Sequence, residues 1–340
     1  MTVTADLPAR PLPSSLPAQG VAAAHPDNGN DASVPLAQLL KAAGDELRLA
    51  ILRVLGQSSF GVQELCDVFA LRQPSMSHHL KVLALAELVD KRREGNSIFY
   101  RRCLPTSALH GELLDQIDAS DLAPAQQQRL AQVLAGRAAQ SRAHFARYAD
   151  DAATEELIAD YQQYADIATE LLLRAKPEGD LAVEIGPGEG EFLLELGRRF
   201  TRVVGYDNAA PIQALARQRI DAAKLQNIEL ILGEWPAVAP DEAQADAMVL
   251  NMVLHHLPSP ADSLRAAAWR LKPGGVLLVT ELCRHDQHWA HESCGDLWLG
   301  FEEQELLAWA ARAGLTQLEA QFVAQRNGFQ VQVRTFVRGE

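Results

Sequence analysis

Three glycines at alternate positions, Gly186, Gly188 and Gly190, stand between an apolar run and the start of an amphipathic segment. Glycine permits a tight turn and lets the backbone approach a ligand closely, so the pattern predicts a strand, a ligand-binding turn and a helix. Strand and helix patterns then alternate as far as residue 337. This alternation predicts an α/β fold, with a doubly wound sheet of parallel strands over residues 154–340.

Acidic residues around the glycine turn indicate the kind of ligand. Asp207 ends the next predicted strand, and an acid at that point accepts hydrogen bonds from ribose hydroxyls in dinucleotide-binding folds. Glu184, Glu189 and Glu191 would repel the phosphate that those folds hold at the helix N-terminus. These carboxylates suit a cationic amino group. S-adenosylmethionine, which has an amino acid part and no phosphate, therefore fits better than NAD.

Further motifs follow in order: Gly233-Glu234-Trp235, Asn251-Met252-Val253-Leu254-His255-His256-Leu257 and Arg270-Leu271-Lys272-Pro273-Gly274-Gly275. With these motifs, residues 154–316 resemble the class I methyltransferases, which have a Rossmann-like sheet and bind S-adenosylmethionine or S-adenosylhomocysteine. The resemblance implies a site for each part of the ligand. Glu184 would face the amino group, Gly186, Gly188 and Gly190 would line the methionine part, and Asn251 would lie near the sulfonium. Asp207 with the adjacent Asn208 would hold the ribose, Glu234 and Trp235 would contact the adenine, and Tyr164 with Tyr161 would close the pocket. A sulfonium donor needs little beyond positioning, so no catalytic residue is assigned.

Residues 36–105 form a basic segment in an acidic chain. They contain ten Lys and Arg against seven Asp and Glu, whereas the whole chain has a net charge of −13. Such asymmetry indicates a nucleic-acid-binding domain joined to another domain. Apolar periodicity predicts one or two helices over 36–55, a short helix at 62–69 and a helix over 74–86. Two extended runs about Gly95 predict a β-hairpin, and this order is typical of a winged helix-turn-helix.

The second helix of such a domain enters the major groove with short polar side chains near its start. Ser75, Ser77 and His78 are expected to contact bases, whereas Arg72 and Lys81 are expected on phosphates. Basic residues of the hairpin would rest on the DNA backbone or in the minor groove. The expected DNA-binding residues are therefore Arg72, Gln73, Ser75, Ser77, His78, Lys81, Arg92 and Arg93, with Lys91 and Arg101 beside them in the hairpin.

Nearly all of residues 36–105 resembles the ArsR-type winged-helix repressors, through Asp45-Glu46-Leu47-Arg48-Leu49-Ala50-Ile51-Leu52, Pro74-Ser75-Met76-Ser77-His78-His79-Leu80-Lys81-Val82-Leu83 and Leu88-Val89-Asp90-Lys91-Arg92-Arg93-Glu94-Gly95. The resemblance implies a homodimer on double-stranded operator DNA, joined through helices near 36–55 and 106–118. Arsenic sensors of the family have a second cysteine two residues after the first, where this chain has Val68. Cys66 alone lacks the thiolate partners that a metal needs, so no metal site is expected.

Four parts are therefore expected: a disordered tail at 1–34, the winged helix-turn-helix at 35–105, a helical dimerisation or linker segment at 106–153, and the methyltransferase-like domain at 154–340. No apolar run reaches the roughly eighteen residues of a membrane span, and the proline-rich start lacks the apolar core of a signal peptide. The four cysteines are far apart and contain no CxxC pair. A cytoplasmic protein without a membrane partner is expected.

The order of the two domains resembles fused ArsR-type regulators, a group that includes S-adenosylhomocysteine-responsive regulators of the methionine cycle. The leading hypothesis is a dimeric repressor whose methyltransferase-like domain senses S-adenosylhomocysteine or S-adenosylmethionine. The alternative is an active methyltransferase of a small molecule with an autoregulatory DNA-binding domain. Its candidate residues are the histidines and cysteines of 283–294, where His285, His288 and His291 would share one helix face. A third hypothesis, a metalloid sensor, needs thiolates that the chain does not supply.

Overall fold

The computed structural model describes residues 33–94, 97–103, 105, 107–148, 161–233, 235, 244–325 and 327–339. The predicted tail lies almost wholly outside the described residues, as does the first part of the helix expected from residue 154. Among the described residues, no helix combines the length and the apolar character needed to cross a membrane.

The amino-terminal part, residues 33–105, has the predicted order of helices, turn and hairpin. Its elements are α1 (Ser33–Ala43), α2 (Glu46–Leu55), β1 (Phe60–Gly61), α3 (Val62–Phe69), α4 (Gln73–Leu85), β2 (Val89–Glu94) and β3 (Ser97–Arg102). Asp45 separates the first two helices because its carboxylate accepts a hydrogen bond from the Arg48 N–H and caps α2. β1, which the periodicity did not indicate, pairs antiparallel with β3 and gives a three-stranded sheet of order β1-β3-β2.

Two helices follow in the segment predicted to be helical. α5 (Ala108–Asp118) is capped by Ser107, whose hydroxyl accepts from the His110 N–H, and α6 (Pro124–Tyr148) begins at a proline. Proline is favoured in the first helical turn, where its missing N–H would have no partner in any case.

The carboxy-terminal part, residues 161–339, is an α/β sandwich. Its elements are α7 (Tyr161–Ala175), β4 (Gly179–Ile185), α8 (Glu191–Gly197), β5 (Phe200–Asp207), α9 (Ala210–Ala223), β6 (Ile228–Leu232), β7 (Ala245–Asn251), α10 (Pro260–Trp269), β8 (Leu271–Leu282), α11 (Ala290–Ser293), α12 (Glu303–Arg312), β9 (Leu315–Ala324) and β10 (Gln330–Arg338). Successive side chains of β7 alternate between two cores. Ala247 and Val249 pack on the α7 and α8 side, and Met248 and Leu250 on the α10 and α12 side.

The seven strands lie in the order β6-β5-β4-β7-β8-β10-β9. The first five are parallel, as predicted, but β10 runs antiparallel to both β8 and β9. The predicted doubly wound parallel sheet is therefore confirmed, with an antiparallel strand added at this edge. β9 ends at Ala324 and β10 begins at Gln330. A parallel pair needs a crossover of a dozen or more residues, so this short connection permits only an antiparallel pair.

The amino-terminal part packs directly on the carboxy-terminal part. The ring of Phe99 in β3 meets the indole of Trp298 edge to face, with 5.7 Å between ring centroids. Arg101 places its Nη1 2.8 Å from Glu305 Oε1 of α12, and its Nη2 lies 3.4 Å from Asp90 Oδ2. The Arg101 guanidinium is thus held by carboxylates, contrary to the expectation that it rests on DNA.

Candidate functional site

A cleft opens at the carboxyl ends of β4 and β5, where the strand order reverses. β5 lies on one side of β4 and β7 on the other, and such a switch point is where open α/β sheets bind ligands. The cleft and the open solvent space at its mouth together have a volume of about 670 Å³. It is lined by Ile185, Gly186 and Gly188 after β4, by Tyr206, Asp207, Asn208 and Ile212 after β5, by Gly233 and Trp235 after β6, by Met252, Val253, His256, Leu257 and Pro258 after β7, and by Ala138 and Phe145 of α6.

The glycine turn has the left-handed backbone that only glycine adopts readily. Gly186 has φ +64°, and a Cβ there would lie 2.3 Å from Val253 Cγ2. Gly188 has φ +54°, and a Cβ there would meet no atom within 4 Å, because this residue faces the open cleft. Gly190 has φ +84° and packs on Ala216 of α9. Two of the three predicted glycines therefore line the cleft, whereas the third joins the turn to α9.

Two buried carboxyl groups lie at the ends of β4 and β5. Glu184 is 1% exposed, and its Oε2 has no hydrogen-bond partner among the described residues. Burial, and secondarily the nearby Asp207, raises the pKa of Glu184 to about 8. Burial also raises the pKa of Asp207 to about 6, although three backbone N–H groups, including that of Ala209 at 2.8 Å, donate to Asp207 and oppose the rise. Asp207 lines the cleft, whereas Glu184 lies behind the lining. A ligand that brought hydroxyl groups would meet Asp207 directly.

Glu189 and Glu191 were expected to repel a phosphate, but in the structure both are paired with a basic side chain. Both accept hydrogen bonds from the guanidinium of Arg219 in α9. Two carboxylates and one guanidinium leave one negative charge beside the glycine turn, so these residues still favour a cationic ligand group. The pairing joins residues about thirty positions apart, which spacing along the chain does not indicate.

The predicted adenine side is partly described. Trp235 lines the cleft, its ring lies 5.4 Å from that of Tyr206, and the Arg270 guanidinium lies 5.0 Å from its centroid. Asn208 also lines the cleft. Glu234 lies outside the described residues.

Two other predicted ligand contacts are set back from the cleft lining. Asn251 is the last residue of β7, and the following Met252 and Val253 line the cleft whereas Asn251 does not. Its Oδ1 is buried without a hydrogen-bond partner among the described residues. Tyr164 is 5% exposed and packs in the core against α7 neighbours and the ring of Tyr161.

α6 and the loop after β7 form one side of the cleft, and the sequence did not predict this side. Ala138 and Phe145 come from a helix that precedes the sheet, and no local signal marks them. His256 lies in one of the sequence motifs, but nothing in the sequence placed it against Phe145, whose ring is 4.8 Å away.

A cluster of buried titratable residues lies behind this side of the cleft. His255, His256 and Asp296 bring one potential ligand atom each within 4.8 Å of one another, and His255 Nδ1 lies 2.6 Å from Glu281 Oε1. His256 Nδ1, the atom nearest Asp296, is also 3.4 Å from the Gly295 carbonyl oxygen. A carbonyl accepts only, so this contact is a hydrogen bond in the tautomer whose Nδ1 carries the hydrogen. Burial, together with His255, holds the pKa of His256 well below its usual range.

The 283–294 segment differs from its predicted form. His285 and His288 lie in a loop, and the helix that follows them is the four-residue α11, so the predicted shared helix face is wrong. Burial raises the pKa of Cys283 to about 11, and the thiol therefore stays protonated near neutral pH.

The predicted DNA-contacting residues of the second helix are brought together on one exposed surface. Arg72 caps α4, and Gln73, Ser75, Ser77, His78 and Lys81 are all exposed on it, whereas Met76 and Leu80 face the core. The backbone of Arg92 and Arg93 lies in β2, but their side chains lie outside the described part of the chain.

Fold and cleft together define a Rossmann-like methyltransferase fold preceded by a winged helix-turn-helix. A family model for a methyltransferase domain matches residues 156–332, and a helix-turn-helix domain model matches residues 43–92. The first match covers just over half of the chain. The chain therefore belongs to the methyltransferase-domain family, with an ArsR-type helix-turn-helix domain at its amino-terminal end.

Individual relatives match one domain or the other. The arsenical resistance operon repressor of Staphylococcus xylosus is 36% identical over 83 residues, which are 24% of this chain and 73% of that protein. Trans-aconitate 2-methyltransferase of Variovorax paradoxus is 32% identical over 126 residues, 35% of this chain and 47% of that enzyme. This chain thus spans about half the length of that relative. The N-methyltransferase NodS of Bradyrhizobium japonicum, solved with S-adenosyl-L-homocysteine, aligns at 17% identity and a TM-score of 0.49 over 59% of this chain and all of NodS.

Proposed function

We propose that this chain is a DNA-binding transcriptional regulator, acting as a repressor, whose methyltransferase fold binds S-adenosylhomocysteine or S-adenosylmethionine as an effector. Its parts are the winged helix-turn-helix at 35–105, the helical segment at 106–153 and the ligand-binding domain at 154–340. The ligand would be held by Glu184 at its ammonium, by Gly186 and Gly188 along the amino acid part, by Asp207 and Asn208 at the ribose, and by Trp235 at the adenine.

The position of α6 is the observation that carries this proposal. Ala138 and Phe145 of α6 line the cleft, and Arg129 of the same helix donates through Nε to the Val68 carbonyl of α3 at 2.7 Å. A ligand that displaced α6 would therefore displace the DNA-binding part. Phe145 also covers His256, close to the strand end where the methyltransferase resemblance places the sulfonium. α6 thus obstructs the side from which a methyl acceptor would approach.

A second candidate function is methyl transfer to a small molecule, with the DNA-binding part regulating the enzyme's own synthesis. The family membership and the buried His255–Glu281 pair beside the cleft favour it, since a histidine oriented by a carboxylate is a common general base. This function requires turnover of S-adenosylmethionine with some acceptor once α6 has moved.

The test is a DNA titration with and without each ligand. Operator sequences are first selected from random duplex DNA by the full chain, once without ligand and once with each adenosyl compound. Fluorescence anisotropy then measures DNA affinity at fixed salt, because phosphate contacts make affinity salt-dependent. We expect one adenosyl ligand to change the affinity by about fivefold or more, the low end of typical allosteric couplings.

The control is Asp207→Asn, which should abolish the ligand effect and leave ligand-free DNA affinity unchanged. Equal DNA affinity of the unaltered chain with and without both ligands would contradict the sensor. Release of S-adenosylhomocysteine from S-adenosylmethionine in the presence of small thiols or amines would then support the second function.

A further inference from the structure

One guanidinium, that of Arg137 in α6, is bonded on one side to the DNA-binding part. Its Nε lies 2.8 Å from Glu64 Oε1 and its Nη2 lies 2.6 Å from Glu64 Oε2, a bidentate pair. Nη2 also donates to the Ser59 carbonyl at 2.9 Å. Arg137 is only 8% exposed, so these charge-assisted bonds are shielded from water.

The other side of the same guanidinium is bonded to the cleft. Nη1 donates at 3.0 Å to the carbonyl of Pro258, which lines the cleft together with His256 and Leu257. The next residue of α6, Ala138, lines the cleft as well. The Trp298 indole N–H donates to the Leu257 carbonyl at 2.9 Å, which holds the same loop from behind.

Aromatic rings from both parts enclose the guanidinium. Its Cζ lies 4.7 Å from the ring centroid of Phe60 in the DNA-binding part and 4.8 Å from that of Trp298 in the ligand-binding part. Cation–π contacts of a desolvated guanidinium fix its plane, and the rigid fork of donors then fixes where Glu64 and Pro258 must lie. A shift of the 256–258 loop by about an ångström breaks either the Pro258 bond or the Glu64 pair.

Glu64 in turn determines how α3 begins. Its Oε2 accepts a hydrogen bond from the Gly61 N–H at 2.8 Å, which caps the helix. Leu65 and Phe69 of α3 pack in one core with Met76 and Leu80 of α4. A change at Glu64 is therefore transmitted through packed side chains to the helix that carries the expected DNA contacts.

We infer that Arg137 is the positioning residue that couples the adenosyl cleft to the winged helix, through its simultaneous bonds to Pro258 and Glu64. The inference rests on the proposed function and states how that function is regulated. A ligand that contacts the 256–258 loop differently in two arrangements biases them, and Arg137 transfers that bias to α3.

The experiment measures coupling rather than affinity. Ligand affinity is determined by calorimetry with and without operator DNA, and DNA affinity with and without ligand, for the unaltered chain and for Arg137→Lys. The factor by which DNA changes ligand affinity must equal the factor by which ligand changes DNA affinity, and this common factor is the coupling ratio. Lysine keeps the charge and reaches Glu64, but it lacks the planar fork that also holds Pro258. For Arg137→Lys we expect the DNA affinity without ligand and the ligand affinity without DNA each to stay within about threefold of the unaltered chain, and the coupling ratio to fall to within about twofold of one.

The matched control is Arg174→Lys in α7. The Arg174 guanidinium pairs with Glu170 and Glu319, both in the ligand-binding part, so this variant should keep the full coupling ratio. If Arg137→Lys does not fold, as judged by thermal melting, Glu64→Gln tests the same link from the other side, with the same expected loss of coupling.

Retention of the full ratio in Arg137→Lys would overturn the inference and leave the proposed function intact. Altered affinities with an unchanged ratio would also overturn it, because Arg137 would then have only a structural role. A coupling ratio of one in the unaltered chain would overturn the proposed function and the inference together.

Discussion

At the scale of single residues, Glu184 is the carboxyl proposed to meet the ligand ammonium, and it lies behind the residues that line the cleft. It is buried, its Oε2 has no hydrogen-bond partner among the described residues, and its neighbours Glu189 and Glu191 are already paired with Arg219. Its raised pKa means that the ligand-free protein holds a protonated carboxyl at neutral pH, whereas a ligand ammonium favours the ionised form.

Ligand affinity should therefore depend on pH with a definite sign. Below pH 8, binding an ammonium compound requires the release of the Glu184 proton, so affinity rises as the pH rises. With a pKa of about 8 in the ligand-free protein, S-adenosylhomocysteine affinity should increase about tenfold between pH 6 and pH 7. Calorimetry at the two pH values measures the change. Glu184→Gln should bind more weakly with a flat profile, and Glu229→Gln, an exposed carboxyl on β6, should keep the slope. A Glu184→Gln profile as steep as that of the unaltered chain would contradict the assignment.

At the scale of elements, α4 differs little in hydrophobicity between its two faces, and packing against its neighbours sets which face is buried. Met76, Leu80 and Leu83 enter the core of the winged helix, and the opposite face presents exposed polar side chains. Proline in its first turn and the exposed Arg72 before it set where the helix begins.

Lys81 should contribute a phosphate contact from this face. Lys81→Gln is expected to weaken DNA binding to a similar degree on different sequences, and to reduce the slope of log affinity against log salt by about 1. Anisotropy titrations at several salt concentrations measure the slope. Lys224→Gln, at the exposed end of α9, removes the same charge from the other domain and should leave the slope unchanged. An unaltered slope in Lys81→Gln would place DNA elsewhere.

At the scale of the whole molecule, exposed leucines mark the helices that flank the winged helix. Leu40 of α1 is 56% exposed, and Leu36 of α1 and Leu109 of α5 are also exposed. The ArsR resemblance implies that these helices join two chains. A dimer would place two copies of α4 on half-sites about one turn of DNA apart, roughly 34 Å.

Leu40→Glu should therefore convert dimers to monomers at micromolar concentration, as measured by sedimentation velocity. Operator affinity should fall by about tenfold or more, since the second half-site is no longer bound by a linked copy. Affinity for the adenosyl ligand should not change. Leu318→Glu, an equally exposed leucine on β9, is the control and should remain dimeric. A dimeric Leu40→Glu protein would show that the interface lies on another surface.

Local features of the chain were predictable because they depend on neighbours along the backbone. The glycine turn at 186 and 188 and the acid at 207 each follow from a few adjacent residues. The bounds of α3 were predicted to the residue, since apolar periodicity and flanking turn residues limit it on both sides. The family resemblances followed from the same short motifs.

By itself, then, the sequence determined most of the elements, their order, both domain families and the residues of the glycine turn. The tertiary structure alone decided that α6 lines the cleft, that Arg219 pairs with Glu189 and Glu191, that Arg101 pairs with Glu305, and that β10 is antiparallel. The physical reason is that local periodicity states which face of an element is apolar, but not which distant surface that face will cover. Such contacts arise only when the two domains pack, and the link from cleft to winged helix through Arg137 is one of them.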